Sequence, residues 1–155
     1  MKVFISHQQG DSEIAKETSG VLASFGIDSY LDVIDDSFVK IEDVASKIQN
    51  EMDKCTQVLV IISEANRNSF WVPWEVGVAT AKNLPLATLS VKGARPHEFL
   101  EKWPLLRTVR DFEIFVFAIR ETERLVETAA SYGLFGSGPR TESQLFYKLL
   151  RDNLQ

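Results

Sequence analysis

The chain has 155 residues, 45% of them hydrophobic and 25% charged, which is enough to bury the core of one domain over residues 1–155. Its formal net charge of −5 argues against a general nucleic-acid-binding surface, and no stretch is long or apolar enough to cross a membrane. Cys55 is the one cysteine, which excludes an internal disulfide and, with no secretory leader, predicts a cytoplasmic protein.

Short apolar runs alternate with amphipathic patterns over the first ninety residues. The run from Val58 to Ile62 is the clearest strand and is expected at the centre of a sheet, because its residues are β-branched or apolar without a polar interruption. The pattern predicts strands at residues 3–6, 27–33, 58–62 and 86–91, and helices at 11–25, 41–52 and 70–82.

The residue pattern of the second half of the chain predicts fewer strands than that of the first half. We expect a short helix at 96–103, an edge strand at 105–109, a long helix at 112–131 and a loop at 133–139. Thr141 to Gln144 match a capping box and predict the start of a final helix. The fold class is therefore α/β with three layers: a mostly parallel sheet of about five strands, flanking helices and an extra C-terminal helix.

Several chemistries common in such folds have no motif here. Gly10 is isolated, so there is no glycine-rich phosphate loop, and there is no Gly-x-Ser-x-Gly nucleophile elbow. His7 and His97 lack metal-ligand spacing with Cys55, so no metal site is predicted. A phosphoacceptor receiver needs acids where Ser6 and Ser63 stand, which makes that class a poor match.

Four segments, in order, resemble the TIR domain (Toll/interleukin-1 receptor) family, whose architecture is flavodoxin-like. The resemblance covers residues 1–92 best, and residues 133–155 add a loop and a helix. The segments are Val3-Phe4-Ile5-Ser6-His7, then 25–32 (Phe-Gly-Ile-Asp-Ser-Tyr-Leu-Asp), then 58–63 (an apolar run ending in Ser), and 69–75 with Trp71-x-x-x-Glu75.

The resemblance implies an enzyme that consumes NAD as substrate, with no bound cofactor. Glu75 is then the catalytic carboxylate, which would stabilise positive charge developing on the ribose as the bond to nicotinamide breaks. The resemblance also implies that residues of the matching segments bind the substrate. These residues are Phe4, Ser6, His7, Gln8, Ser63, Phe70 and Trp71.

Each of these residues also has a plainer interpretation. Glu75 would otherwise be a solvated acid in a helix's first turn, and aromatic residues near a helix start usually pack. Gln8 stands where relatives often have basic residues, and Ser63 could simply end its strand. Lys92 and Arg95 could pair with a diphosphate, although surface charge is their more ordinary role.

The resemblance further implies self-association through the loop Asp35, Asp36, Ser37 and Phe38. We expect NAD to be converted to nicotinamide and an ADP-ribose-derived, cyclic second messenger that activates a separate effector protein, as in Thoeris antiphage defence. Two alternatives stay open: a non-enzymatic TIR interaction module, and an enzyme like the nucleoside deoxyribosyltransferases, which use a carboxylate as covalent nucleophile.

Overall fold

Five parallel strands form one sheet in the order β2-β1-β3-β4-β5, within a computed structural model that describes residues 1–31, 41–64, 69–133 and 139–154. The order and the flanking helices confirm the predicted fold class, with β3 at the centre. No described helix combines the length and apolar character that crossing a bilayer requires. The strands are β1 (Lys2–Ser6), β2 (Asp28–Leu31), β3 (Gln57–Ile62), β4 (Leu86–Ser90) and β5 (Leu105–Leu106), and the helices are α1 (Ser12–Ser24), α2 (Ile41–Met52), α3 (Trp71–Ala81), α4 (Val109–Ser131) and α5 (Pro139–Asn153).

The two faces of the sheet are covered by different helices because side chains alternate along each strand. In β1, Val3 and Ile5 pack in a core with α1, α4 and α5, whereas Phe4 packs in a second core with α2 and α3. β3 is fully buried along its length, as expected for a central parallel strand. Ser6 therefore lies on the same face as Phe4, toward α3.

The C-terminal helix α5 is part of the first core. Phe146 is fully buried, and its ring meets the Phe115 ring of α4 edge to face at 5.9 Å between centroids. The Tyr147 hydroxyl accepts a 2.9 Å hydrogen bond from the backbone N–H of Leu86, at the start of β4. Helix α5 thus fills part of the core and also provides a hydrogen-bond acceptor for the backbone N–H at the start of β4.

Three predicted boundaries in the second half are wrong: the end of the edge strand and the starts of the last two helices. The edge strand ends at Leu106, and α4 begins at Val109 because Thr108 accepts from the Asp111 N–H at 3.1 Å while Asp111 accepts from the Thr108 N–H at 3.0 Å. Helix α5 begins at Pro139, so Thr141 lies inside the helix and is not its cap; proline suits a first helical position. The short helix at 96–103 is a single 3-10 turn at Glu98–Leu100.

The Asp111 carboxyl is held in its charged form by this cap. Its pKa lies below the ordinary value: burial acts to raise it, but hydrogen bonds from Arg107 and Thr108 and the charge of Arg107 outweigh burial. The backbone around Arg107 is therefore fixed at the start of α4.

Cys55 is a packed thiol rather than a nucleophile. Its side chain is buried, its Sγ lies 3.2 Å from the Glu51 carbonyl, and burial raises its pKa to about 11. At pH 8 only roughly 0.1% of such a thiol is the reactive thiolate. We expect Ellman's reagent to label the folded protein far more slowly than the denatured protein at pH 8, and comparable rates would contradict the burial of Cys55.

Candidate functional site

The predicted catalytic region lies where the chain order of the sheet reverses. The carboxyl ends of β1 and β3 lie side by side there, with Ser6 paired to Val60 and Ser63 directly after β3. This reversal of strand order between β1 and β3 is called the switch point of the sheet. Open α/β sheets bind ligands in the crevice beyond the carboxyl ends of the strands at such a point.

Glu75 projects from α3 into this region and is completely buried, with a relative exposure of 0%. The Ser6 hydroxyl donates a hydrogen bond to Glu75 Oε2. The interpretation of Glu75 as a solvated acid therefore does not hold, because a surface carboxylate would keep its water shell. A buried carboxylate is costly unless it is hydrogen-bonded, so its retention here needs partners such as Ser6.

The first turns of α3 place aromatic side chains beside Glu75. Trp71 and Trp74 are half-buried, meet edge to face at 5.5 Å between ring centroids, and both pack against the second core. Phe70, just before the helix, is 91% exposed. The hydroxyl of Ser69 accepts from the Val72 N–H at 3.3 Å and so satisfies one donor of the first turn.

The residues that follow β1 are more enclosed than a solvated turn. His7 is only 6% exposed, and its Nδ1 lies 3.3 Å from the Ile5 carbonyl. Gln8 is half-buried, and its backbone carbonyl accepts a hydrogen bond from the backbone N–H of Asp11 at 2.8 Å. The Phe4 side chain is fully buried and its ring centroid lies 5.4 Å from that of Tyr30, so it supports the site from within the core.

A second carboxylate lies at the same edge and was not predicted as a site residue. Asp11 is 3% exposed and accepts a 2.6 Å hydrogen bond from the Ser63 hydroxyl, which joins the segments after β1 and β3. Asp11 also occupies the N-cap position of α1, but its side chain makes no capping hydrogen bond. Its partner is 52 residues away, so no local pattern could have identified this contact.

Other predicted features lie outside this region or outside the described residues. The self-association loop of Asp35 to Phe38 falls in 32–40, which the structure does not describe. Within the described ranges, no group of three histidine, cysteine or acidic residues could hold a metal ion. Cavities of about 430 and 530 Å³ lie at the amino-terminal edge of the sheet and between α4 and α5, and no predicted site residue lines either one.

Solved structures of similar fold include two of different kinds. The 2-deoxyribosyltransferase of the psychrotolerant bacterium Bacillus psychrosaccharolyticus superposes with a TM-score of 0.61 at 14% identity, over 73% of this chain and 90% of that chain. The TIR domains of the activated Roq1 resistosome, which recognises the pathogen effector XopQ, match with a TM-score of 0.46 at 13% identity, over 97% and 83%. At 14% identity the first likeness shows the fold alone.

The comparison of sequences gives a more specific result. No curated protein sequence matches the chain significantly. The family model described as "TIR domain" matches residues 3–125, which include β1, the Asp11–Ser63 contact and Glu75 on α3. This span exceeds the 1–92 core that carried the resemblance and ends within α4. The chain belongs to the TIR domain family.

Proposed function

We propose that the protein consumes NAD by cleaving the bond between nicotinamide and ribose, with Glu75 as the catalytic carboxylate. Membership in the TIR family supports an NAD-consuming or signalling function in general. The observation that carries the specific proposal is the completely buried Glu75 carboxylate at the β1/β3 switch point, next to the Ser6 hydroxyl.

Cleavage of the nicotinamide–ribose bond requires mainly that the protein positions the ribose and stabilises the positive charge that develops on it. Nicotinamide in NAD is cationic, so it leaves with the electron pair of the broken C–N bond as a neutral base and needs no general acid. Positive charge then develops at the anomeric carbon of the ribose, as in glycoside cleavage. A carboxylate in a water-poor site stabilises that charge more strongly than one in water. Water, or a nucleophile within the remaining ADP-ribose, forms the new bond to this carbon and releases a proton.

The Ser6 hydroxyl occupies one position that a substrate hydroxyl would take. Glu75 is fully buried in this conformation, so a ribose hydroxyl would take the place of Ser6 at Glu75 Oε2 when the Ser6 contact gives way. Exchanging one hydroxyl donor for another keeps Glu75 Oε2 hydrogen-bonded throughout, which avoids the cost of leaving a buried carboxylate oxygen unsatisfied. Ser6, His7 and Gln8 are then substrate-contacting residues, with Ser63, Phe70 and Trp71 on the neighbouring segments.

We further propose that the product is an ADP-ribose-derived cyclic messenger, released to a separate effector as in Thoeris antiphage defence. Cyclisation requires that an internal nucleophile, not water, lies near the anomeric carbon, which burial of the site favours. We expect self-association through TIR–TIR contacts to accompany activity.

Incubation of the purified protein with NAD tests the proposal. We expect release of one nicotinamide for each NAD consumed, and mass analysis to find a product lighter than ADP-ribose by one water when cyclisation occurs. The assay should span dilute to concentrated protein, because activity that rises faster than protein concentration would indicate self-association.

The other outcomes point to named alternatives. No nicotinamide release at any protein concentration would contradict the proposal and favour an interaction module. A ribosyl adduct trapped on Glu75 would instead indicate a covalent mechanism of the deoxyribosyltransferase kind.

A further inference from the structure

A cavity of about 370 Å³ lies beside the edge strand β5, away from Glu75. Its volume falls within the range of small-molecule sites. β5 is separated from β1 by three strand spacings of about 4.8 Å, roughly 14 Å, so the cavity is distinct from the β1/β3 switch point. It is lined by Arg95, Pro96, Glu101, Trp103, Leu105 and Arg107.

The backbone holds both arginines in fixed positions. Arg95 follows a tight turn in which Lys92 and Gly93 have φ angles of 51° and 73°, and the Ser90 hydroxyl donates to the Ala94 carbonyl at 2.8 Å. Arg107 directly precedes the Thr108 cap of α4, and its own N–H donates to Asp111 Oδ2 at 2.8 Å. Each guanidinium therefore extends from an anchored residue.

The charges of the cavity favour an anion. Among the described residues, neither Arg95 nor Arg107 forms an ion pair, although the charge of Arg107 also acts on Asp111 in the first turn of α4. Glu101 is the one acid in the cavity lining. Guanidinium groups present paired N–H donors that match the oxygens of a phosphate. Two such groups against one carboxylate leave the cavity positive on a chain whose net charge is −5.

An aromatic wall accompanies these charges. Trp103 is half-buried in the second core and lines the cavity beside Leu105. Lys102 Nζ lies 4.1 Å from the centroid of the Trp103 ring, but it lines a neighbouring cavity and not this one. Indole surfaces stack on nucleobases, so an aromatic wall next to phosphate-binding groups suits a nucleotide better than a simple anion.

We propose that this cavity binds a nucleotide, with its phosphate groups on Arg95 and Arg107 and its base against Trp103. This site does not include Glu75, so it stands independently of the catalytic proposal. A substrate dinucleotide and a nucleotide product share this chemistry.

Calorimetric titration with ADP-ribose tests the proposal in the full chain. ADP-ribose contains no nicotinamide, so its binding is measurable whether or not the protein cleaves NAD. We expect the double substitution Arg95→Gln and Arg107→Gln to raise the dissociation constant at least tenfold, and higher salt to weaken wild-type binding. The matched control is Arg110→Gln, which removes the same charge from an exposed residue of α4 outside the cavity and should leave binding unchanged.

Each other result would overturn part or all of the inference. No ADP-ribose binding by the wild type, or equal binding by the double variant, rejects the site. Inorganic phosphate that binds as tightly as ADP-ribose rejects the role of Trp103.

Titrating NAD into the Glu75→Gln variant distinguishes the two possible ligands of this cavity, the substrate and a nucleotide product. Loss of NAD affinity on adding the arginine substitutions assigns the site to the substrate, and unchanged NAD affinity assigns it to a nucleotide product.

Discussion

Replacing Glu75 with glutamine is expected to reduce nicotinamide release by about a hundredfold to a thousandfold, the usual effect of removing one electrostatic stabiliser of a transition state. Glutamine has nearly the same shape, and its amide oxygen can still accept from the Ser6 hydroxyl. It cannot supply the negative charge that opposes the cationic ribose. The measurement is the initial rate of nicotinamide release at saturating NAD.

Two controls separate chemistry from folding in this experiment. Glu113→Gln removes the same charge from an exposed residue of α4 and should keep the wild-type rate. Thermal unfolding of Glu75→Gln should remain cooperative, because a buried neutral amide costs less than a buried charge. A folded Glu75→Gln protein with the wild-type rate would remove Glu75 from the mechanism.

Replacing Phe146 with alanine is expected to lower the free energy of unfolding by about 3–5 kcal/mol, which is typical when a large core aromatic is truncated. Phe146 is fully buried, and it contacts Phe115 across the α4–α5 interface. For a chain of this length the loss corresponds to a fall in melting temperature of roughly 10 °C. Chemical denaturation of both proteins gives the free-energy difference directly.

Phe117 provides the matched control for this substitution. It lies on α4 and is 48% exposed, so Phe117→Ala removes the same side chain with a cost of about 0.5 kcal/mol or less. Equal destabilisation by the two substitutions would mean that α5 does not complete the core. The family match ends at residue 125, so this experiment also tests whether a helix beyond the matched span is required for stability.

The fold was predictable because its signals are local. A parallel strand buried on both faces needs an unbroken apolar run, and Val58 to Ile62 supplies one. Helix ends were harder to predict. The box formed by Thr108 and Asp111 uses aspartate where glutamate or glutamine is the usual signal, and the more conventional pattern at Thr141 lies inside α5.

The candidate site was predictable only in part. The Trp71-x-x-x-Glu75 spacing located the carboxylate, but its complete burial depends on β1, 69 residues away, where Ser6 lies. The hydrogen bond between Asp11 and Ser63 likewise joins segments that become neighbours only when β1 and β3 pair. Such contacts follow from topology, which no single segment encodes.

The internal hydroxyl contact to Glu75 has a consequence for the discovery of inhibitors. A flat heteroaromatic compound without a hydrogen-bond donor would have to displace Ser6 without replacing the hydrogen bond that Ser6 donates to the Glu75 carboxylate. Screening collections rich in sugar mimics, such as iminosugars and hydroxylated pyrrolidines, should therefore yield more hits than planar fragments, and their cationic nitrogen would resemble the charge of the reacting ribose.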